Sequence, residues 1–169
     1  YWFGEIRRGP DVEALPPMPV TLTHSSELFH EDNFATLPEL RLVFPTVEEY
    51  HKDSYALQML GEVLSGSKRA PLYNVIVEER KLAPGVSTYQ SGRELAGEFV
   101  FRVRASNGTD LDDVRAAIDE GLARFERDGF SDKELERVKV QLERQLFEGV
   151  STVLNKAFQL ADYNEYVGD

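Results

Sequence analysis

At 169 residues, with 41% hydrophobic side chains, the chain is long enough for one domain with a real core. It has no cysteine, which excludes disulfides, thiolate zinc sites and a cysteine nucleophile. A formal net charge of -11 and the lack of any basic run exclude a large phosphate-binding footprint, because nucleic-acid affinity rests on lysines and arginines displacing counterions.

No apolar run approaches bilayer-spanning length, and no signal peptide is visible at the N-terminus. The first residue is not Met, so the chain is expected to be a fragment. Tyr1-Trp2-Phe3-Gly4 has the aromatic-then-glycine character of a helix end whose packing partner lies upstream. Gly9-Pro10 and Pro16-Pro17-Met18-Pro19 then predict an extended linker. Residues 1–22 accordingly predict the end of a preceding domain and a proline-rich linker. Residues 23–169 predict one domain, cut short at its C-terminus.

Residues from about Ser26 to Asn33 suggest a first strand, and Leu40, Leu42 and Phe44 alternate in a second that Pro45 ends. A helix follows with Ala56, Leu57, Leu60, Val63 and Leu64 on one face, until Ser65-Gly66-Ser67 breaks it. A second helix carries Leu72, Val75, Ile76 and Glu79 as far as Pro84-Gly85. Two strands come next, Val86–Gln90 and Glu98–Ala105, the latter with Phe99, Phe101 and Val103 on one face. Asn107-Gly108 signals a turn, and Thr109 with Asp112 fits a capping box for a helix striped by Leu111, Val114, Ile118, Leu122 and Phe125. Gly129 ends that helix. Ser131 with Glu134 forms a second capping box, opening a helix with Leu135, Val138, Leu142 and Leu146. A last helix, about Ser151 to Tyr166, is expected to turn Leu154, Ala157, Phe158 and Ala161 inward. The order β-β-α-α-β-β-α-α-α predicts an α+β two-layer sandwich, a mainly antiparallel sheet with helices on one face.

No catalytic or metal-binding residue can be assigned from these patterns, and substrate-binding residues stay unknown. The three histidines, His24, His30 and His51, lack a histidine partner one helical turn away. His30-Glu31 starts like a zincin motif, yet Phe34 stands where the second histidine belongs. Glu48-Glu49, Glu78-Glu79 and Asp112-Asp113 are adjacent carboxylates, which diverge by about 100° on a helix instead of converging on one pocket. Asp112-Asp113 is explained by the helix dipole. Ser65-Gly66-Ser67-Lys68-Arg69 follows a helix, not a strand, so it reads as a turn and not a phosphate loop. Asn107-Gly108-Thr109 matches a glycosylation acceptor but is explained as a tight turn before a helix.

Leu42-Val43-Phe44-Pro45-Thr46 with Asp53-Ser54-Tyr55-Ala56-Leu57 resembles the opening of the second domain of pitrilysin/insulinase-type zinc metallopeptidases, the family of mitochondrial processing peptidase. Leu64-Ser65-Gly66 through Ala70-Pro71-Leu72-Tyr73, then Val77-Glu78-Glu79-Arg80-Lys81-Leu82-Ala83, is similar to the next helix and the segment after it. Ser151-Thr152-Val153 through Tyr163-Asn164-Glu165-Tyr166 resembles a late helix of bacterial members. Tyr1-Trp2-Phe3-Gly4-Glu5-Ile6 with Arg8-Gly9 is similar to the end of the domain before. The resemblance covers nearly the whole chain.

It implies a non-catalytic domain in a clam-like chamber, whose zinc sits in an upstream domain bearing His-x-x-Glu-His. Cofactors are therefore none in this chain, with zinc implied for the parent protein, where a metal-activated water would hydrolyse peptides. Implied partners are that zinc-bearing domain, an equivalent second half of the peptidase and a peptide substrate, with no nucleic acid and no membrane segment. Family members clamp the peptide with an Arg and a Tyr seven apart. At the matching positions this chain has Val77 and Pro84, which supply neither charge nor hydroxyl. The resemblance thus points to the domain that follows a first, zinc-bearing or degenerate domain. Two rivals stay open: an independent interaction module, and a scaffold domain of an inactive peptidase homologue. The compartment, periplasmic or cytoplasmic in a bacterium, is left open.

Overall fold

Alternation of apolar and polar side chains places one hydrophobic row on each strand, and these rows meet in a three-stranded antiparallel sheet. The computed structural model describes residues 4–13 and 15–168, so the helix end expected at Tyr1–Phe3 lies outside the described residues. The elements are β1 (Glu39–Thr46), α1 (Lys52–Ser65), α2 (Pro71–Tyr73) continuing as a π-helical stretch (Asn74–Glu79), β2 (Ser87–Gly92), β3 (Gly97–Arg104), α3 (Leu111–Asp128), α4 (Asp132–Gly149) and α5 (Val153–Tyr166). Strand order is β1-β3-β2, with both pairs antiparallel. This is the expected α+β class with one strand fewer, since Ser26–Asn33 has no regular structure and is exposed.

The register aligns Leu40 with Val103, Leu42 with Phe101 and Phe44 with Phe99. On β2, Thr88 sits opposite Phe101 and Gln90 opposite Phe99. That face is covered by Leu64 of α1, Leu72, Val75 and Ile76 of the second helical segment, and Val114, Ala117 and Ile118 of α3. Full burial of such side chains contributes roughly 1.5–3 kcal/mol each, so this cluster is a large favourable term in folding.

Several boundaries differ from expectation. Pro45 does not end β1 but pairs with Glu98 inside it, which is tolerated because β1 is an edge strand. Ala56 is exposed; the buried row of α1 is Ser54, Gly61 and Leu64, because the helix lies directly against β2 at Gly61. The second helix stops at Glu79, before Pro84-Gly85, with Arg80 N–H donating to the Val75 carbonyl at 3.0 Å. Lys81 then takes a left-handed φ of 54°, which turns the chain towards β2.

Thr109 is not the cap of α3. Its hydroxyl donates to the Leu82 carbonyl at 3.3 Å, and Asp110 caps instead, accepting from the Asp112 N–H at 2.9 Å. Asp112 and Asp113 do lie in the first turn, and Gly129, at φ 66°, ends the helix. The Ser131–Glu134 capping box forms in full: the Glu134 N–H donates to Ser131 Oγ at 3.3 Å, and the Ser131 N–H to Glu134 Oε2 at 2.8 Å.

Candidate interaction surface

Helices, strands and turns hold the candidate chemical groups apart. His24 and His30 are exposed on the irregular N-terminal segment. His51 caps α1, its Nδ1 accepting from the Asp53 N–H at 3.1 Å. Among the described residues, no group of three or more His, Cys, Asp or Glu side chains is placed to hold a metal ion. The donor set of the described residues therefore does not fit zinc, and they support no step through a metal.

The carboxylate pairs also part company. Glu79 forms a two-pronged ion pair with Arg124 at 2.6 and 2.7 Å, while Glu78 is exposed. Glu120 joins that pair from α3, bonded to Arg124 at 2.6 Å and to Arg80. Two guanidiniums and two carboxylates balance here, and the Arg124 bonds hold both carboxyls below their usual range. The network ties the π-helical stretch to α3 on the surface. Ser65 in the Ser65–Arg69 turn is used structurally, its hydroxyl accepting from the Thr88 N–H at 2.9 Å. Val77 packs against the core and Pro84 is exposed.

What the fold does present is unpartnered apolar surface. Only Val138 of α4 is buried, and Gln141 ties that helix to α1 by donating to Glu62 at 2.8 Å. Further along, Val140, Leu146 and Phe147 face outward. No residue of α5 is buried. Leu154 and Phe158, expected inward, are 64% and 62% exposed. Their apolar spacing was legible, but α1 to α3 already fill the sheet's core face and leave α5 nothing to bury against.

Tyrosines anchor α5 instead. Tyr50, just before α1, stacks on Tyr166 at 6.1 Å and tilts against Tyr163 at 5.7 Å. Burial, with Asp162 and Glu49 nearby, pushes the Tyr50 phenol above its ordinary pKa and keeps it a hydrogen-bond donor. Tyr50, Tyr55, Phe158 and Tyr163, with Glu49 and Asp162, line a cleft of about 370 Å³ between the α1 entry and α5. No sequence pattern pointed to it, because residues far apart in the chain build it. Its mixed apolar and acidic lining holds no assembled nucleophile and base, so it suits contact more than bond-breaking.

The family described as "Peptidase M16 inactive domain" matches residues 2–142. The chain is 32% identical over 117 residues to the uncharacterized zinc protease YmxG of Bacillus subtilis (strain 168), covering 69% of this chain and 28% of that protein. Among solved structures, a protease from Helicobacter pylori superposes with a TM-score of 0.68 at 19% identity, covering 78% of this chain and 32% of the other. A peptidase M16 inactive domain from Pseudomonas fluorescens gives 0.63 at 19% identity, covering 76% and 30%. The structural likenesses speak to the fold alone. The chain spans less than a third of the length of each of these relatives.

Proposed function

Because the chain belongs to the family of peptidase M16 inactive domains, we propose that it is a non-catalytic, chamber-forming domain of a zinc metallopeptidase. The observation that carries this reading is the outward apolar face of α4 and α5 in a family member whose described residues offer no metal-holding group. Exposed apolar surface of this extent is a liability unless another domain covers it.

In this reading residues 1–22 link the domain to a preceding one, and zinc belongs to that other domain. Val77 and Pro84 take no part in clamping a peptide, since neither side chain can hydrogen-bond one. The domain's work is to bury a neighbouring domain's surface and to shape the cavity in which peptide is held.

Metal analysis and peptidase assays on this chain and on the longer protein that carries it provide the test. The longer protein is expected to hold zinc and to cleave peptides in a chelator-sensitive manner, and the chain alone to do neither. Stoichiometric zinc or chelator-sensitive cleavage by the chain alone would refute the proposal.

A further inference from the structure

The sheet face turned away from the helices carries a charge imbalance that the fold does not require. Across its rows, Glu39 sits opposite Arg104, Arg41 opposite Arg102, and Val43 opposite Val100. Ser87 and Tyr89 extend the second and third rows onto β2. Like charges directly opposite on neighbouring strands are destabilising, so the Arg41–Arg102 pair costs stability.

Glu39 is the one carboxylate paired with these arginines among the described residues. It is held by Arg102 in a two-pronged bond at 3.0 and 2.9 Å. Arg104 reaches the same carboxylate only at 3.3 and 3.4 Å, and Arg41 only at 3.8 Å. Three guanidiniums on one carboxylate leave two positive charges in excess around Glu39, and one over the whole face once Glu98, exposed two rows beyond Arg102, is counted, on a protein of net charge -11. The Arg80–Arg124 network, by contrast, is balanced.

Arg41 also donates to the Tyr89 hydroxyl at 3.3 Å, reaching from β1 across β3. Val100, opposite Val43 and Tyr89 in the third row, is buried on this face. The Tyr89 bond holds the Arg41 guanidinium in place while leaving most of its five N–H donors to solvent. The side chains of Arg41 and Arg104 are 55% and 61% exposed. Val43 is exposed beside them.

We propose that this outer face binds an extended acidic peptide segment, with a carboxylate seated on the Arg41 and Arg104 guanidiniums and the neighbouring residues lying along Val43 and Tyr89. Guanidinium forks match carboxylates in two-pronged geometry. An open sheet face does not enclose a small molecule, whereas an extended segment contacts it over several rows. A nucleic acid is disfavoured, because three arginines are a small footprint and the net charge repels a polyanion. The site is read from this chain's own residues and stands whether or not the parent protein is a peptidase.

The test is fluorescence anisotropy of the purified chain with a labelled peptide alternating glutamate and threonine, at low and moderate salt. The acidic bulk of the protein repels this probe, so binding has to come from a local cationic patch. The chain is expected to bind it, and to bind the glutamine counterpart at least about tenfold more weakly. R41Q/R104Q is expected to lose at least about tenfold in affinity without a lowered unfolding midpoint, since it also relieves the Arg41–Arg102 repulsion. Val43→Glu, which adds a competing carboxylate at an exposed position, is expected to abolish binding independently. Three results would overturn the proposal: no binding at low salt, equal binding of the glutamine peptide, or wild-type affinity in R41Q/R104Q. Tighter binding of a single-stranded oligonucleotide, lost in the same variant, would reassign the patch and overturn it equally.

Discussion

At Gly61 the backbone of α1 lies close against β2, and adding one methyl group there tests the packing on which the two-layer fold rests. Away from any neighbour, alanine in place of glycine inside a helix gains about 1 kcal/mol. At Gly61 the new Cβ would lie 2.8 Å from the Thr88 carbonyl oxygen and 3.3 Å from its carbon. Both partners are tied down. Thr88 Oγ1 donates to the Gly61 carbonyl at 2.7 Å, its N–H donates to Ser65 Oγ at 2.9 Å, and β2 is pinned by its ladder to β3. Helix and strand therefore have to separate by a few tenths of an ångström, straining the bonds that join them.

Overpacking of this kind costs about 1–3 kcal/mol, which outweighs the helix-propensity gain. Gly61→Ala is expected to lose about 1–2 kcal/mol in urea unfolding followed by circular dichroism, with an unchanged m-value. Gly149→Ala is the matched control, because a Cβ at that position in the last turn of α4 meets nothing within 4 Å. It is expected to be neutral or to gain up to about 1 kcal/mol. A G61A chain as stable as wild type, alongside a neutral G149A, would refute the close-packed seam between α1 and β2.

Leu154→Asp/Phe158→Asp is expected to change the unfolding free energy by less than about 0.5 kcal/mol while lowering the binding of an apolar dye; a large destabilisation would mean that this face is buried after all. Val138→Asp, on the buried side of α4, should instead cost several kcal/mol, roughly what an unpaired buried charge costs. Ser131→Ala removes the side-chain half of the capping box, leaving the residue-131 N–H bonded to Glu134, and is expected to cost about 0.5–2 kcal/mol, read from thermal unfolding. The Ser131 backbone and hydroxyl bonds hold the Glu134 carboxyl below its usual pKa, so an NMR titration should find it closer to normal in that variant. Glu39, likewise lowered chiefly by its Arg102 bond, contributes stability that is fully present above its unfolded-state pKa and is lost as pH falls through the lower folded value. Glu39→Gln should therefore be less stable than wild type at neutral pH, and the gap should close in acid; a gap independent of pH would refute the ion pair as its source.

Local chemistry was legible wherever a few neighbouring residues decide the outcome. Ser131 and Glu134 satisfy each other's backbone, Gly129 is suited to the left-handed end of α3, and the alternation of Phe99, Phe101 and Val103 forces one face of β3 inward. The lack of a zinc-ligand spacing and the ordered pieces of family resemblance were equally readable, because both are properties of the linear chain. Matters that depend on which segment lies beside which were not. Pro45 stays within β1 because the fold makes β1 an edge, and Thr109 leaves the cap of α3 because Leu82 offers it a carbonyl. The apolar stripe of α5 was visible but its direction was not, since only the filled core shows that the stripe faces outward. Along the chain, Arg41, Arg102 and Arg104 merely alternate with apolar residues. The strand order β1-β3-β2 gathers them around Glu39, because a charge excess is set by neighbours in space that no local period reveals.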